Sequence, residues 1–126
     1  LVFPVHPRTK ERIEAFGVAI PARMTLTGPL PYMEFLDLWM NAALVLTDSG
    51  GLQEETSALG VRCMTLREST ERPVTITDGT NRLVGTDPDA IVKAAAEMLS
   101  QPPANRRPRL WDGHSAQRIA DVLAAY

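Results

Sequence analysis

Residues 44–55 read Leu44-Val45-Leu46-Thr47-Asp48-Ser49-Gly50-Gly51-Leu52-Gln53-Glu54-Glu55. A short apolar run passes through a turn of small residues into an acidic segment, which predicts a strand, a turn and a helix. The two glycines let a ligand approach the backbone closely, and the first N–H groups of a helix favour an anion. This stretch predicts either a phosphate-binding turn or an unliganded turn in which Ser49 caps the helix. Its spacing matches neither the P-loop nor G-x-G-x-x-G, so neither ATP nor a dinucleotide is indicated.

The same alternation of apolar runs and helical patterns continues along the chain. Strands are predicted over residues 1–5, 24–27, 44–47, 61–66 and 81–84, and helices over 9–16, 32–41, 51–59, from Asp87 onward and over 115–126. Residues 101–109, rich in proline and arginine, are predicted to form a surface loop. Strands separated by helices favour right-handed βαβ units, which predicts an α/β fold with a parallel sheet and flanking helices. Ligands of such sheets lie beyond the carboxyl ends of the strands, where residues 48–51 fall.

Composition limits the class of protein. A chain of 126 residues with 44% hydrophobic and 22% charged residues has the size and composition of one ordinary soluble domain. The net charge of −2 gives no electrostatic reason to expect nucleic acid or an anionic membrane as a partner. No apolar run approaches the roughly 20 residues of a membrane span. The chain opens on a predicted strand without the charged start of a signal peptide, so a cytoplasmic location is expected.

The single cysteine, Cys63, can form neither an internal disulfide nor a metal site alone. It lies in an apolar run, which predicts a buried and unreactive thiol. The sequence shows no cluster of metal ligands and no spacing that defines a nucleophile with its base. We therefore expect no metal and no cofactor, and we assign no catalytic residue.

Polar side chains at other strand ends have a structural and a functional interpretation. The helix dipole favours Glu54 and Glu55 in an early helical turn, but Glu55 could also accept hydrogen bonds from vicinal sugar hydroxyls. Arg72, in the segment 67–73, could bind phosphate through its planar guanidinium or could be a solvated loop charge. In the segment 6–9, Thr9 is predicted to cap the next helix, and His6 is interpreted as a structural hydrogen-bond partner.

Five segments, residues 3–9, 28–35, 47–55, 70–73 and 79–85, together resemble the non-hydrolysing UDP-N-acetylglucosamine 2-epimerases in order and spacing. The joint occurrence of D-S-G-G-x-Q-E-E and T-E-R-P carries most of the resemblance, which covers nearly the whole chain. It implies most of the C-terminal half of a two-domain GT-B fold. Residues 1–126 would form a single partial Rossmann-like UDP-binding domain that lacks its first strand and ends in the helix 115–126.

The resemblance also implies roles for individual residues. Ser49, Gly50 and Gly51 would hold the diphosphate of UDP. Glu55 would take the ribose hydroxyls, and Arg72 would contact the nucleotide sugar near its phosphates.

Two further residues would contact the base. Phe35 would line the uracil pocket, and the backbone at Leu30 would face the uracil. Leu30 departs from the bacterial pattern, which has glutamine there, so a main-chain contact would survive and a side-chain contact would not. The catalytic carboxylates of the family lie in the N-terminal domain, so no catalytic role is carried over to this chain.

The implied activity is the interconversion of UDP-N-acetylglucosamine and UDP-N-acetylmannosamine by elimination and re-addition of UDP, in cell-wall or polysaccharide precursor synthesis. The implied partners are these nucleotides, the N-terminal domain of the same protein and a second copy in a homodimer. These 126 residues alone are predicted to be inactive. Two alternatives stay open: the donor-binding half of a GT-B glycosyltransferase that uses a UDP-sugar, and an interaction module without a nucleotide site.

The missing first strand has a structural consequence. In the strand order 3-2-1-4-5-6 it is central, so the strands over 1–5 and 44–47 would lose their shared neighbour. Exposed strand edges tend to pair. We expect direct pairing of the two edges, a swap with another copy, or a split sheet.

Overall fold

The structure, a computed structural model, describes residues 1–102 and 106–126. Its elements are β1 (Val2–Pro4), α1 (Pro7–Ala15), β2 (Thr25–Thr27), α2 (Tyr32–Met40), β3 (Val45–Thr47), α3 (Gly50–Leu59), β4 (Cys63–Thr65), α4 (Val74–Thr77), β5 (Asn81–Leu83), α5 (Pro88–Ser100) and α6 (Ser115–Ala124). The predicted α/β class is confirmed. Part of the predicted loop 101–109, residues 103–105, lies outside the described residues. None of the described helices combines the length and apolar character that a membrane span requires.

The described strands form two parallel sheets. β1 pairs with β2, with Val2 opposite Thr25, whereas β3, β4 and β5 pair in that order. Of the three expected arrangements, the split sheet is the one observed among the described residues. The chain divides into two compact units, Leu1–Leu38 and Trp39–Tyr126, with one sheet in each.

Two local features differ from the sequence-based expectation. The prediction that Thr9 caps α1 is wrong, because the helix begins at Pro7 and its N-cap is His6, whose Nδ1 accepts from the Arg8 N–H at 3.3 Å. Proline suits a first helical position since it needs no partner for an N–H group. The interpretation of His6 as a structural hydrogen-bond partner agrees with this contact. The four-residue helix α4 was not predicted, because one turn is too short to show helical periodicity.

The core of the second unit contains many polar side chains. Its central strand β4 is buried along its whole length, and the strand is accompanied by buried polar residues from the surrounding elements: Gln53, Thr56, Ser57, Thr75, Thr80 and Asn81. Buried polar groups need hydrogen-bond partners, since an unpaired one destabilises the fold by about 1–3 kcal/mol. The paired groups therefore specify how the elements meet, whereas Gln53 Nε2 and Ser57 Oγ have no hydrogen-bond partner within the described residues.

Cys63 is fully buried, as predicted. Burial is the main cause that raises the pKa of its thiol from 9.0 to about 11, while hydrogen bonds with Thr56 and Thr65 lower it in part. Because the unfolded thiol ionises first, its contribution to the free energy of unfolding is complete below pH 9.0 and is lost as the pH rises towards about 11.

We therefore expect the native thiol to react with a disulfide reagent at pH 8 far more slowly than the denatured chain does. Cys63→Ala should also flatten the fall in the free energy of unfolding at high pH, measured by denaturant titration at several pH values. Equal labelling rates in the native and denatured states would contradict the prediction.

Candidate functional site

The turn between β3 and α3 presents free backbone N–H groups. Ser49, the N-cap of α3, has extended backbone (φ −80°, ψ 128°), and its own N–H donates to Thr47 Oγ1 at 3.0 Å. Its side chain makes no capping hydrogen bond. Within the described part of the chain, nothing accepts from the N–H groups of Gly50 or Gly51. Free N–H groups at a helix N-terminus, together with an uncommitted hydroxyl, favour an anionic ligand.

The two glycines of this turn are not required by the packing of the chain itself. A Cβ atom added at Gly50 would meet no atom within 4 Å, and one added at Gly51 would meet only Ser49 Oγ at 3.9 Å. Neither glycine has the left-handed backbone that disfavours other residues. The space in front of the turn is therefore open to a ligand.

Arg72 lies against the same helix. Its Nε atom is 2.7 Å from Oε1 of Glu54, and each of the two side chains is a little under half exposed. Its Nη1 group donates to the main-chain oxygen of Glu71 over a longer distance of 3.4 Å. The structure thus brings Arg72 to α3 through Glu54, a residue that the sequence pattern explains only as a favourable charge for the helix dipole.

The loop that carries Arg72 is closed by a second ion pair. Arg67 donates from both Nη atoms to the two carboxylate oxygens of Glu71, at 3.2 and 3.0 Å. The backbone N–H of Glu71 and then Arg67 hold the pKa of this carboxyl below its ordinary value. Glu71 is therefore ionised at neutral pH and its carboxylate is engaged by Arg67, while the side chain of Arg72 pairs with Glu54.

Two buried amides, Gln53 and Asn81, connect this loop to the core. Oε1 of Gln53 accepts from the Thr70 hydroxyl at 2.6 Å and from Asn81 Nδ2 at 3.3 Å. The Thr70 oxygen in turn accepts from the Arg72 N–H at 3.0 Å. The D-S-G-G-x-Q-E-E segment and the T-E-R-P segment therefore meet through the buried side chain of Gln53 and the partly buried side chain of Thr70.

The side chain of Asn81 makes two further hydrogen bonds in this network. Its Nδ2 donates to Thr75 Oγ1 at 3.1 Å, and its Oδ1 accepts from the Thr65 hydroxyl at 2.7 Å. The Thr75 hydroxyl donates to the main-chain oxygen of Arg72 at 2.7 Å. Both the N–H and the C=O group of Arg72 are thus held by hydroxyls that contact buried amides.

Gln53 and Asn81 are not among the residues that the sequence predicts for the site. A signal was present for Gln53, because it shares one helical face with Thr56 and Ser57 at spacings of three and four residues, and all three are buried. Polar residues at helical spacing next to a buried apolar residue, here Leu52, indicate a buried hydrogen-bond network. No comparable local signal marks Asn81, which is the first residue of a short strand.

The remaining predicted site residues occupy separate positions. Glu55 is partly exposed, and its carboxylate forms no hydrogen bond or ion pair within the described residues, so it is free for a ligand. Leu30 and Phe35 belong to the first unit. Phe35 lies in α2, where its N–H donates to the Pro31 oxygen at 2.9 Å, and both side chains are partly exposed.

These features define a Rossmann-like α/β fold with an open glycine turn at the start of α3 and with Arg72 paired to the same helix. The chain belongs to the UDP-N-acetylglucosamine 2-epimerase family, which it matches over residues 1–124. The resemblance described above is therefore confirmed.

Individual relatives agree with this assignment. The UDP-N-acetylglucosamine 2-epimerase of Methanococcus maripaludis is 40% identical over an alignment of 127 positions, which covers 98% of this chain and 34% of that protein. The UDP-2,3-diacetamido-2,3-dideoxy-D-glucuronate 2-epimerase of Pseudomonas aeruginosa is 37% identical over 124 residues, again 98% and 34%. A crystal structure of the Methanocaldococcus jannaschii UDP-GlcNAc 2-epimerase with UDP-GlcNAc and UDP matches with a TM-score of 0.83 at 40% identity, covering 99% of this chain and 35% of that one. This chain spans about a third of the length of these relatives.

Proposed function

We propose that this chain is the nucleotide-binding half of an enzyme that interconverts UDP-N-acetylglucosamine and UDP-N-acetylmannosamine. The observation that carries the proposal is the open glycine turn at the start of α3, with Arg72 paired to the same helix. Free N–H groups and a guanidinium are the donors that a diphosphate needs. Family membership supports UDP as the nucleotide.

The chemical role of this half is to stabilise the leaving group. In the proposed reaction, UDP is eliminated across C1–C2 of the sugar and added again, while the proton at C2 is removed and returned. Negative charge develops on the diphosphate as the C1–O bond breaks. The N–H groups of Gly50 and Gly51, the Ser49 hydroxyl and Arg72 would stabilise that charge, and Glu55 would accept hydrogen bonds from the ribose.

The proton transfer is assigned to the N-terminal domain of the complete protein. A general acid or base must lie within hydrogen-bond reach of the proton it moves, and none is assigned to this chain. We therefore propose that these 126 residues bind UDP and do not catalyse epimerisation alone.

The sugar is selected outside this half. The Methanococcus and Pseudomonas relatives bear names of epimerases for different UDP-sugars, yet their identities to this chain are 40% and 37%. Because the two identities are similar, they support the proposal that this part of the protein recognises the UDP portion, which both substrates share. The homodimer, the cytoplasmic location and the role in precursor synthesis are further proposals from the resemblance, and the roles of Leu30 and Phe35 at uracil stay predictions.

Titration with UDP and with uridine tests the proposal. We expect UDP to raise the thermal midpoint, as a ligand of the native state must. Arg72→Ala should weaken UDP binding by about tenfold, because a charge-assisted hydrogen bond is lost, and should leave uridine binding unchanged. Arg82→Ala is the matched control, since Arg82 pairs with Glu97 at the same 2.7 Å.

Two results would contradict the proposal. No binding at millimolar UDP would favour the interaction module. Sugar transfer to an acceptor by the complete protein, in place of conversion between the two UDP-sugars, would favour the glycosyltransferase.

The glycine turn gives a prediction that separates binding from stability. Gly50→Ala and Gly51→Ala should leave the free energy of unfolding unchanged or raise it by about 0.5 kcal/mol, because alanine reduces the freedom of the unfolded chain. Both should weaken UDP binding by about tenfold, since the added methyl group occupies the approach of the diphosphate. Denaturant unfolding and calorimetric titration measure the two effects, and uridine serves as the control ligand. Variants that bind UDP as tightly as the unsubstituted chain would contradict this role.

A further inference from the structure

We propose that Glu54 is a positioning residue for Arg72, which it orients so that the Nη groups stay available to a diphosphate. The inference rests on the proposed function, because it gives Glu54 a role in the same nucleotide site. It concerns a residue that acts through Arg72 and does not itself contact the ligand.

The contact between the two side chains leaves one end of the guanidinium uncommitted. Glu54 Oε1 lies 2.7 Å from Nε of Arg72. Of the five N–H donors of a guanidinium, four lie on Nη1 and Nη2, and within residues 1–102 and 106–126 these meet only the oxygen of Glu71, at 3.4 Å from Nη1. A planar pair of Nη groups can bind a phosphate through two parallel hydrogen bonds.

The main chain of Arg72 is already fixed on both sides. Its N–H donates to Thr70 Oγ1 at 3.0 Å, and its C=O accepts from the Thr75 hydroxyl at 2.7 Å. The freedom that remains is therefore that of the long side chain. Side-chain rotamer entropy opposes ligand binding unless the bound geometry is already populated.

Glu54 restricts the rotamers of the Arg72 side chain from a position on the helix that also carries the glycine turn. It lies on α3, the helix whose N-terminal glycines present the free N–H groups. One rigid element thus carries the backbone donors and also the carboxylate that orients the arginine. Such an arrangement is preorganised, since the donors need not move together when the diphosphate arrives.

The same carboxylate could instead compete with the diphosphate for Arg72. Competition would require Glu54 to hold the Nη edge, whereas the 2.7 Å contact is made to Nε. The positive charge of Arg72 also offsets the negative charge of Glu54. Positioning and competition predict opposite effects on UDP affinity when the carboxylate is removed, so the sign of the effect separates them.

A double-mutant cycle tests the proposal with the dissociation constant for UDP. The variants are Glu54→Ala, Glu54→Gln, Arg72→Ala and the double alanine variant, each checked for an unchanged thermal midpoint without ligand. Glu54→Ala should weaken UDP binding by about fivefold, which corresponds to the upper end of the free energy measured for exposed ion pairs. Glu54→Gln should show most of the same loss, because it keeps the size of the side chain and removes the charge that pairs with Arg72. In the Arg72→Ala background, Glu54→Ala should have no further effect.

Glu97→Ala is the matched control. The Glu97–Arg82 pair has the same 2.7 Å separation and a similar exposure, 41% and 46% against 42% and 44%. It should leave UDP affinity unchanged.

Several outcomes would overturn the inference. Glu54→Ala that binds UDP as tightly as the unsubstituted chain, or more tightly, excludes positioning. A fivefold loss that persists in the Arg72→Ala background shows that Glu54 does not act through Arg72. If Arg72→Ala weakens UDP binding and Glu54→Ala does not, this inference alone is overturned. If the unsubstituted chain does not bind UDP, the proposed function is overturned as well.

Discussion

Asn81→Ala is expected to lower the free energy of unfolding by about 3 kcal/mol, because it leaves several buried polar groups without partners. Asn81 is only 5% exposed. Its amide accepts from Thr65 and donates to Thr75 and Gln53. Since Thr75 also holds the main-chain oxygen of Arg72, the substitution should loosen the loop of Arg72 and weaken UDP binding too.

Denaturant unfolding measures the loss, and two further variants calibrate it. Thr77→Val at an exposed position should change the free energy of unfolding by less than about 0.5 kcal/mol. Thr65→Val combined with Asn81→Ala should cost less than the sum of the two single effects, because the hydroxyl that Asn81→Ala leaves unpaired is then absent. A single Asn81→Ala effect below about 1 kcal/mol would mean that the network is not a main source of stability.

Gly79→Ala is expected to lower the free energy of unfolding by about 3 kcal/mol as well, for a steric reason. A Cβ atom at this position would lie 2.5 Å from the Thr75 oxygen, 2.6 Å from Ser57 Oγ and 2.9 Å from Ser57 Cβ. The Thr75 oxygen is main chain of α4, so it cannot move aside without shifting that helix. The backbone of Gly79 is not left-handed, so the cost arises from packing alone.

Gly28→Ala is the matched control for Gly79→Ala. A Cβ atom at Gly28 would meet nothing within 4 Å, so the substitution should be neutral within about 0.5 kcal/mol. Adding Ser57→Ala to Gly79→Ala should restore only part of the stability, because the contact with the Thr75 oxygen remains. Unfolding of Gly79→Ala at the same denaturant concentration as the unsubstituted chain would show that α3 and α4 separate at little cost.

The elements were predictable where the signal is local. Alternating apolar runs and helical patterns indicated every described strand and all helices except α4, because the periodicity of a longer segment reports its own burial. The turn at Ser49, Gly50 and Gly51 was predictable for the same reason, since a strand, small residues and a helix follow one another directly. The predicted N-cap of α1 was wrong because both His6 and Thr9 can accept a hydrogen bond at a helix start. Only the structure shows that His6 is the one that accepts from a backbone N–H.

By itself, the sequence determined the α/β class, the family and the glycine turn for which diphosphate binding is proposed, because these depend on residues close together in the chain. Only the tertiary structure decided that Arg72 pairs with Glu54 and that Gln53 meets Asn81, 28 residues away. Such contacts depend on strand register and on the packing of α3 and α4 against the sheet. The glycine turn is thus formed by consecutive residues, whereas the main chain of Arg72 is held through side chains that only folding brings together.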